Sequence, residues 1–408
     1  MSRHEVAVTG LGLVTPAGIG AGPTWAHFLS GAPTAAPDPD LAGLEVDFSC
    51  RVGELDAAGR LGGRLARRLD RFGQMAVIAA REAVADAGLD PAAWDGPRVA
   101  VVLGVSSNSV ATYPVEYGRL AAGRPDLVSA LMLPRSVPNM VAGEVSMDLG
   151  ARGPSFVVST ACASGTTALG VARDLLRSAA CDIVISGGSD SHRTPMSATS
   201  FTRLGALSRR RGDPGGASRP FDADRDGFVL GEGAGILVLE REEYARARGA
   251  RVLARLSGHG ASCDAHHYAA PSPDGDGLGR AVRAALDDAG LAPGDIGHVN
   301  AHGTSTVLND TAEAAALHAV FRRPPPVTAN KSVIGHSVGA AGAIEAALTV
   351  LTLRHGVVPP TANLDRMDGA IALDVVTKVP RPVPGLRAAV SVSSGFGGQN
   401  AAVVLTAV

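Results

Sequence analysis

A handful of residues stand at turns of this sequence, and the kind of turn decides what each can do. Cys162 lies in Val157-Val158-Ser159-Thr160-Ala161-Cys162-Ala163-Ser164-Gly165-Thr166-Thr167-Ala168-Leu169-Gly170. An apolar run that reads as a strand gives way to small residues, and a helix is predicted from just after Cys162 to about Ala179. At a helix N-terminus a thiol meets unpaired N–H groups and the positive end of the dipole. Both favour the thiolate, the form that can take up an acyl group. The same place also suits a buried structural cysteine. His302, in Val299-Asn300-Ala301-His302-Gly303-Thr304-Ser305-Thr306, is predicted at a strand end, where side chains face a crevice. Lys331 and His336 come together in Asn330-Lys331-Ser332-Val333-Ile334-Gly335-His336-Ser337, ahead of a small-residue helix predicted to reach about Leu353. A lone histidine at a turn is commonly structural, but two share this setting. Ser391-Val392-Ser393-Ser394-Gly395-Phe396-Gly397-Gly398-Gln399-Asn400 reads as a glycine-dense turn between strands. It is either a plain hairpin or a set of N–H groups facing a reacting oxygen.

The elements that must position these residues show a duplication. Arg81-Glu82-Ala83-Val84-Ala85-Asp86-Ala87-Gly88-Leu89 recurs as Arg283-Ala284-Ala285-Leu286-Asp287-Asp288-Ala289-Gly290-Leu291. Each copy reads as a helix closed by glycine and followed by a strand, Val99 to Leu103 or Ile296 to Ala301. A repeat at half the chain length predicts a duplicated α/β fold, with mixed, largely parallel sheets under helices and the two halves packed together. The halves are taken as residues 1–250, carrying Cys162, and 251–408, carrying both histidines. Ahead of the first copy, Arg64, Arg67, Arg68 and Arg71 fall at spacings of three or four, near one helical face.

Composition bounds the rest. The apolar fraction of 46% with only 4% aromatics allows a large core of small aliphatic residues, and 51 glycines predict close backbone packing. A formal charge of −2 gives no general attraction to nucleic acid or membrane. The four cysteines, Cys50, Cys162, Cys181 and Cys263, lack metal-site spacing, so no metal and a reducing, cytoplasmic compartment are expected. The sequence enters a strand at Val6 without a secretory leader and has no run long enough to span a bilayer.

Taken jointly, the segment around Cys162, the His-Gly-Thr-Ser-Thr at His302, the Lys-Ser-x-x-Gly-His ending at His336 and the Gly-Phe-Gly-Gly at Phe396 resemble the four signatures of the elongating beta-ketoacyl-acyl-carrier-protein synthases. Ser218-Arg219-Pro220-Phe221-Asp222 and Arg225-Asp226-Gly227-Phe228 resemble the family too, and the match runs along nearly the whole chain. The resemblance implies a thiolase-like α/β fold of five α-β-α-β-α layers and a dimer. It implies Cys162 as nucleophile, His302 and His336 as stabilisers of an enolate, and the N–H groups of Cys162 and Phe396 as an oxyanion hole. Lys331 is expected to pair with Glu313 and fix the pocket. Thr304, Thr306, Phe396 and Ser394 are expected to bind substrate and its pantetheine arm, and Arg64, Arg67 and Arg68 to dock an acyl carrier protein. No separate cofactor is implied, since the substrates ride on carrier phosphopantetheine. The last motif departs from the fatty-acid pattern at Val392, Ser394 and Gln399, as in polyketide ketosynthase-alpha subunits. Thr160-Ala161-Cys162 and Leu230-Gly231-Glu232 stand closer to the fatty-acid enzymes. Primary fatty-acid elongation, a cyclising enzyme of the same fold, and a non-catalytic chain-length factor are the alternatives. Chain-length factors lack the cysteine, which is present here. The partner subunit is either a second copy or a chain-length-factor-like chain.

Overall fold

The computed structural model describes residues 4–408. Its main strands are β1 (Val6–Thr15), β2 (Val99–Gly104), β3 (Ser155–Val158), β4 (Ile183–Ser191), β5 (Glu232–Arg241), β6 (Ala254–Cys263), β7 (His298–Asn300), β8 (Val327–Thr328), β9 (Ala388–Gly395) and β10 (Gln399–Thr406). They hydrogen-bond in the order β8-β7-β9-β10-β6-β1-β5-β4-β2-β3. Read from either edge inward, the sequence of pairings is the same. Parallel β3-β2-β4 is matched by parallel β8-β7-β9, and antiparallel β4-β5-β1 by antiparallel β9-β10-β6. The two sets join through β1 and β6, where Ala7 faces Arg255 and Val8 faces Ala254.

The duplication expected from sequence is therefore present, but the sheets are not largely parallel. Strands buried on both faces read as unbroken apolar runs whatever their direction, so periodicity does not reveal it.

The helices and strands stack in five layers, with one core cluster on both faces of the inner helix layer and one under each outer helix layer. The helix α1 (Arg71–Asp86) packs outside the first strand set, with Met75, Ala79 and Ala83 against Val101, Ile185 and Val238. The helices α3 (Asp276–Ala289) and α4 (Val307–Phe321) pack outside the second, through Val282, Leu286 and Leu317 against Val390 and Val404. Between the sets run α2 (Ser164–Arg177) and α5 (Ala341–His355). Every residue of α5 from Ala341 to Leu353 is buried, as a helix with sheet on both sides requires. This is the duplicated thiolase-like architecture that the resemblance implies.

Glycine lets the outer helices approach the sheet. A Cβ on Gly10 or Gly12 would stand 2.1 or 1.8 Å from the carbonyl oxygens of Ala83 and Ala79, and one on Gly258 or Gly260 would stand 2.1 Å from those of Ala285 and Ala281. The two halves thus use one packing device twice. Among the described residues no helix is long and apolar enough to cross a membrane.

Candidate active site

Cys162 sits between β3 and α2 in a turn that its neighbours lock. Ala163 N–H donates to the Thr160 carbonyl at 3.0 Å, and the Ser164 hydroxyl bridges Ala161 O and Thr160 N at 2.6 and 2.9 Å. The β9–β10 hairpin lies directly over the turn, because a Cβ on Gly395 would stand 2.6 Å from Thr160 O and 3.2 Å from Cys162 N. That contact brings the N–H of Phe396 toward the Cys162 sulfur. The thiol is nonetheless not a resting thiolate. Burial pushes it up to about 11, outweighing the Lys331 charge and the N–H groups of Phe396 and Cys162, while Asp190 adds to the rise. The sequence expectation of a favoured thiolate is corrected here, because desolvation exceeds what the helix start supplies.

His302 follows β7 by two residues. Its own N–H and that of Gly303 donate to the two carboxyl oxygens of Glu313 at 2.6 and 2.8 Å, which ties the turn to α4. His336 stands in the turn between Lys331–Ile334 and α5, and Val338 N–H donates to its Nδ1 at 3.3 Å. The two rings lie edge to face with centroids 5.4 Å apart. Burial, then the nearby Lys331 charge, hold both imidazoles well below the ordinary histidine value, so both are neutral at pH 7.

Lys331 fixes the His302 tautomer, and the Val338 N–H fixes that of His336. Lys331 is 1% exposed, and its Nζ lies 2.5 Å from Glu345 Oε1, 2.6 Å from His302 O and 3.2 Å from His302 Nδ1. An ammonium only donates, so His302 Nδ1 accepts and Nε2 carries the proton. His336 Nδ1 likewise accepts, from Val338. Both rings therefore offer an Nε2–H donor.

The expected Lys331–Glu313 ion pair is not formed. Lys331 pairs with Glu345, one turn into α5, while Glu313 is taken up by backbone N–H groups. Burial raises both carboxyl groups to about 7, against the Lys331 charge, which lowers them. Sequence reasoning missed Glu345, although an isolated acid in an otherwise apolar helix signals a buried partner.

A cleft of 420 Å³ collects Cys162, His302, Thr304, Thr306, His336, Ser394 and Phe396 in one lining. The Thr304 and Thr306 hydroxyls are 2.9 Å apart, and Ser394 donates to Asn400 Oδ1 at 2.9 Å. Phe201 and Phe228, not singled out from sequence, form its aromatic wall with ring centroids 5.3 Å apart, and Phe228 meets His336 at 5.4 Å. Lys331 and Glu313 lie behind this lining. Cys50, Cys181 and Cys263 are absent from it, and burial pushes the Cys50 thiol up to about 12.

The arginine stripe is broken. Arg64, Arg67 and Arg68 lie on the short helix Gly63–Arg68, whereas Arg71 begins α1 and donates twice to buried Glu232 at 2.7 Å. Arg68 pairs with Glu144, leaving Arg64 and Arg67 exposed. Asp70, which caps α1, separates the two helices, and a stripe drawn at helical spacing does not register such a break.

Comparison with known proteins assigns the chain to a family. Residues 3–245 match the beta-ketoacyl synthase N-terminal domain and residues 253–365 the C-terminal domain. The chain belongs to the beta-ketoacyl synthase family. It is 37% identical to 3-oxoacyl-[acyl-carrier-protein] synthase 2 of Vibrio cholerae and 38% identical to that of Staphylococcus aureus, with 99% of both chains covered in each case. Among solved structures, the ishigamide ketosynthase/chain length factor superimposes with a TM-score of 0.94 at 36% identity over the full length of both chains. A type II polyketide synthase ketosynthase, solved with its acyl-carrier protein and bound to a hexaketide, gives 0.90 at 32% identity, again over both full lengths. The beta-ketoacyl synthase fold thus accounts for the site's two-sided construction.

Proposed function

We propose that this beta-ketoacyl synthase joins an acyl chain held on Cys162 to a malonyl unit held on an acyl carrier protein, with loss of carbon dioxide. In the first step the Cys162 sulfur attacks an acyl thioester, its proton leaves with the departing carrier thiol, and the acyl group becomes a thioester of Cys162. The N–H groups of Cys162 and Phe396 receive the oxyanion that forms. In the second step the malonyl thioester loses carbon dioxide, and charge gathers on its thioester oxygen. His302 and His336 each offer that oxygen an Nε2–H. The carbanion attacks the Cys162 thioester, giving a 3-oxoacyl chain on the carrier and a cysteine thiolate that takes up a proton. Thr304 and Thr306 hold the pantetheine arm, Ser394 lines its path, and Arg64, Arg67 and Arg68 steer the acidic carrier. No separate cofactor enters.

One observation carries the reading: two neutral imidazoles, tautomerically fixed as donors, face the same cleft as the buried thiol. The test is carbon dioxide release from malonyl-carrier together with mass mapping of the acyl adduct.

The pathway proposed is polyketide synthesis, supported by Val392, Ser394 and Gln399 and by the type II polyketide synthase neighbour, and the compartment proposed is the cytoplasm. Fatty-acid elongation is the second reading, favoured by Thr160-Ala161-Cys162 and by the curated relatives. Extension or cyclisation is decided by the products. We infer that a partner subunit, identical or chain-length-factor-like, packs against the edge strand β3, where the sheet ends, Phe156 is 36% exposed and Met147, on the helix joined to β3 through Ser146 and Ser155, is 59% exposed.

A further inference from the structure

The carboxylate of Asp190 touches no reacting group in the steps above, although its charge adds to the rise of the Cys162 thiol, and it joins the segments on which those steps depend. Asp190 is the penultimate residue of β4 and is 4% exposed. Its Oδ2 accepts from the N–H groups of Gly339 and Ser106, both at 3.1 Å, and from the Ser106 hydroxyl. Gly339 belongs to the turn Val338–Ala340, directly after His336. Ser106 follows β2, and its carbonyl accepts the Ser159 hydroxyl at 3.1 Å, in the segment leading to Cys162. His192 closes the cluster with Nε2 at 2.8 Å from Ser106 Oγ and 3.4 Å from Asp190 Oδ1. Burial raises the Asp190 carboxyl, but the His192 charge and these hydrogen bonds outweigh it and hold the group below its ordinary value.

The turn beyond His336 needs such a clamp. Val338 has φ +48°, a conformation that a β-branched residue adopts only under constraint from its surroundings. Its N–H is the donor that sets the His336 tautomer. Gly339 is wedged so closely that a Cβ would stand 2.6 Å from Ser106 N and 2.7 Å from Asp190 Oδ2.

We propose that Asp190 is a positioning residue for His336: by accepting from Gly339 it keeps Val338 in the left-handed conformation, and the Val338 N–H then keeps the imidazole proton on Nε2. The inference rests on the role proposed for His336 in decarboxylation. It predicts that Asp190 acts as a hydrogen-bond acceptor at a fixed place, through the turn, without touching substrate.

Three measurements on the full chain test it. Nitrogen-15 histidine NMR reads the His336 tautomer without substrate, the signal being assigned by its loss in His336→Ala. Carbon dioxide release from malonyl-carrier gives kcat and KM, and acylation by an acyl-pantetheine thioester reports on Cys162 separately. In Asp190→Ala the His336 proton is expected to spread over both nitrogens. The kcat for release then falls on the order of a hundredfold, the scale of a misplaced catalytic group, with KM and acylation held within about threefold. Asp190→Asn keeps an acceptor oxygen and is expected to retain the tautomer and stay within about fivefold of the unaltered enzyme. An unchanged tautomer in Asp190→Ala, equal loss of acylation and decarboxylation, or an Asn variant as slow as the Ala variant overturns the proposal. If Asp190→Ala does not fold, Asp190→Ser, whose hydroxyl is too short to reach Gly339, replaces it. Absence of carbon dioxide release from the unaltered enzyme would defeat the condensation reading, while the tautomer comparison would still decide the role of Asp190.

Discussion

The two central strand–turn–helix units occupy equivalent places in the duplicated fold and carry opposite chemistry. In the first, β3 passes to α2 through a short turn whose only reactive group is the Cys162 thiol, set among small residues and hydroxyls. In the second, β8 passes to α5 through a longer connection that carries Lys331, His336 and the strained Val338, with Glu345 waiting inside the helix. One unit holds a nucleophile and the other holds charge and proton donors. The two units face one cleft, and the second loop carries the charged and hydrogen-bonding groups that the first lacks.

Breaking the first unit has the largest expected effect. Cys162→Ala should remove acylation entirely, whereas Ser at Cys50, Cys181 or Cys263 should leave it intact, and peptide mass spectrometry of the adduct checks both. Next come His336 in the second unit and His302 in the turn between β7 and α4. His302→Ala or His336→Ala should each slow carbon dioxide release on the order of a hundredfold, the loss typical of one oxyanion donor.

The buried lysine distinguishes Glu345, its partner in the structure, from Glu313, the partner expected from sequence. Glu345→Gln leaves an uncompensated ammonium and is expected to cost about 3–5 kcal/mol in denaturant unfolding. Glu313→Gln keeps one acceptor oxygen for the backbone and is expected to cost about 1–3 kcal/mol. Equal costs would mean that Lys331 uses both partners.

The units should also differ in pH response. With the Cys162 thiol near 11, its alkylation by iodoacetamide should climb about tenfold per pH unit between roughly pH 7 and 10, because the thiolate fraction grows with pH below the pKa. Both histidine values are depressed, so the neutral donors persist as pH falls, and any change in decarboxylation between about pH 8 and 6.5 should come from Glu313 and Glu345 and vanish in Glu313→Gln with Glu345→Gln. The smallest effect is expected at the exposed arginines. Arg64→Glu with Arg67→Glu should raise the apparent constant for carrier protein at low salt and leave a small pantetheine thioester unaffected. Equal effects on both substrates would remove these arginines from docking.

Much of this arrangement was legible in the sequence because local patterns encode it. Cys162 before a helix, two histidines in glycine turns, a glycine-rich hairpin and a helix–glycine–strand repeat are all short-range signals. What escaped is long-range. Lys331 has a choice of buried acids, Glu313 behind it and Glu345 ahead, and only the packing of α5 between two sheets decides which it meets. The direction of strands buried on both faces leaves no trace in their periodicity. The thiol's protonation depends on how completely the hairpin and helices exclude water from it, which the helix start alone does not reveal. Asp190 was invisible for the same reason, since its partners Ser106 and Gly339 lie far away along the chain.

The central claim is that the nucleophile and the decarboxylation machinery belong to separate units, and carbon dioxide release from malonyl-carrier by Cys162→Ala tests it most directly. Release should continue with no acyl adduct formed, and should then collapse when His302→Ala or His336→Ala is added. A Cys162→Ala enzyme that releases no carbon dioxide, or one whose release survives loss of both histidines, would contradict the account.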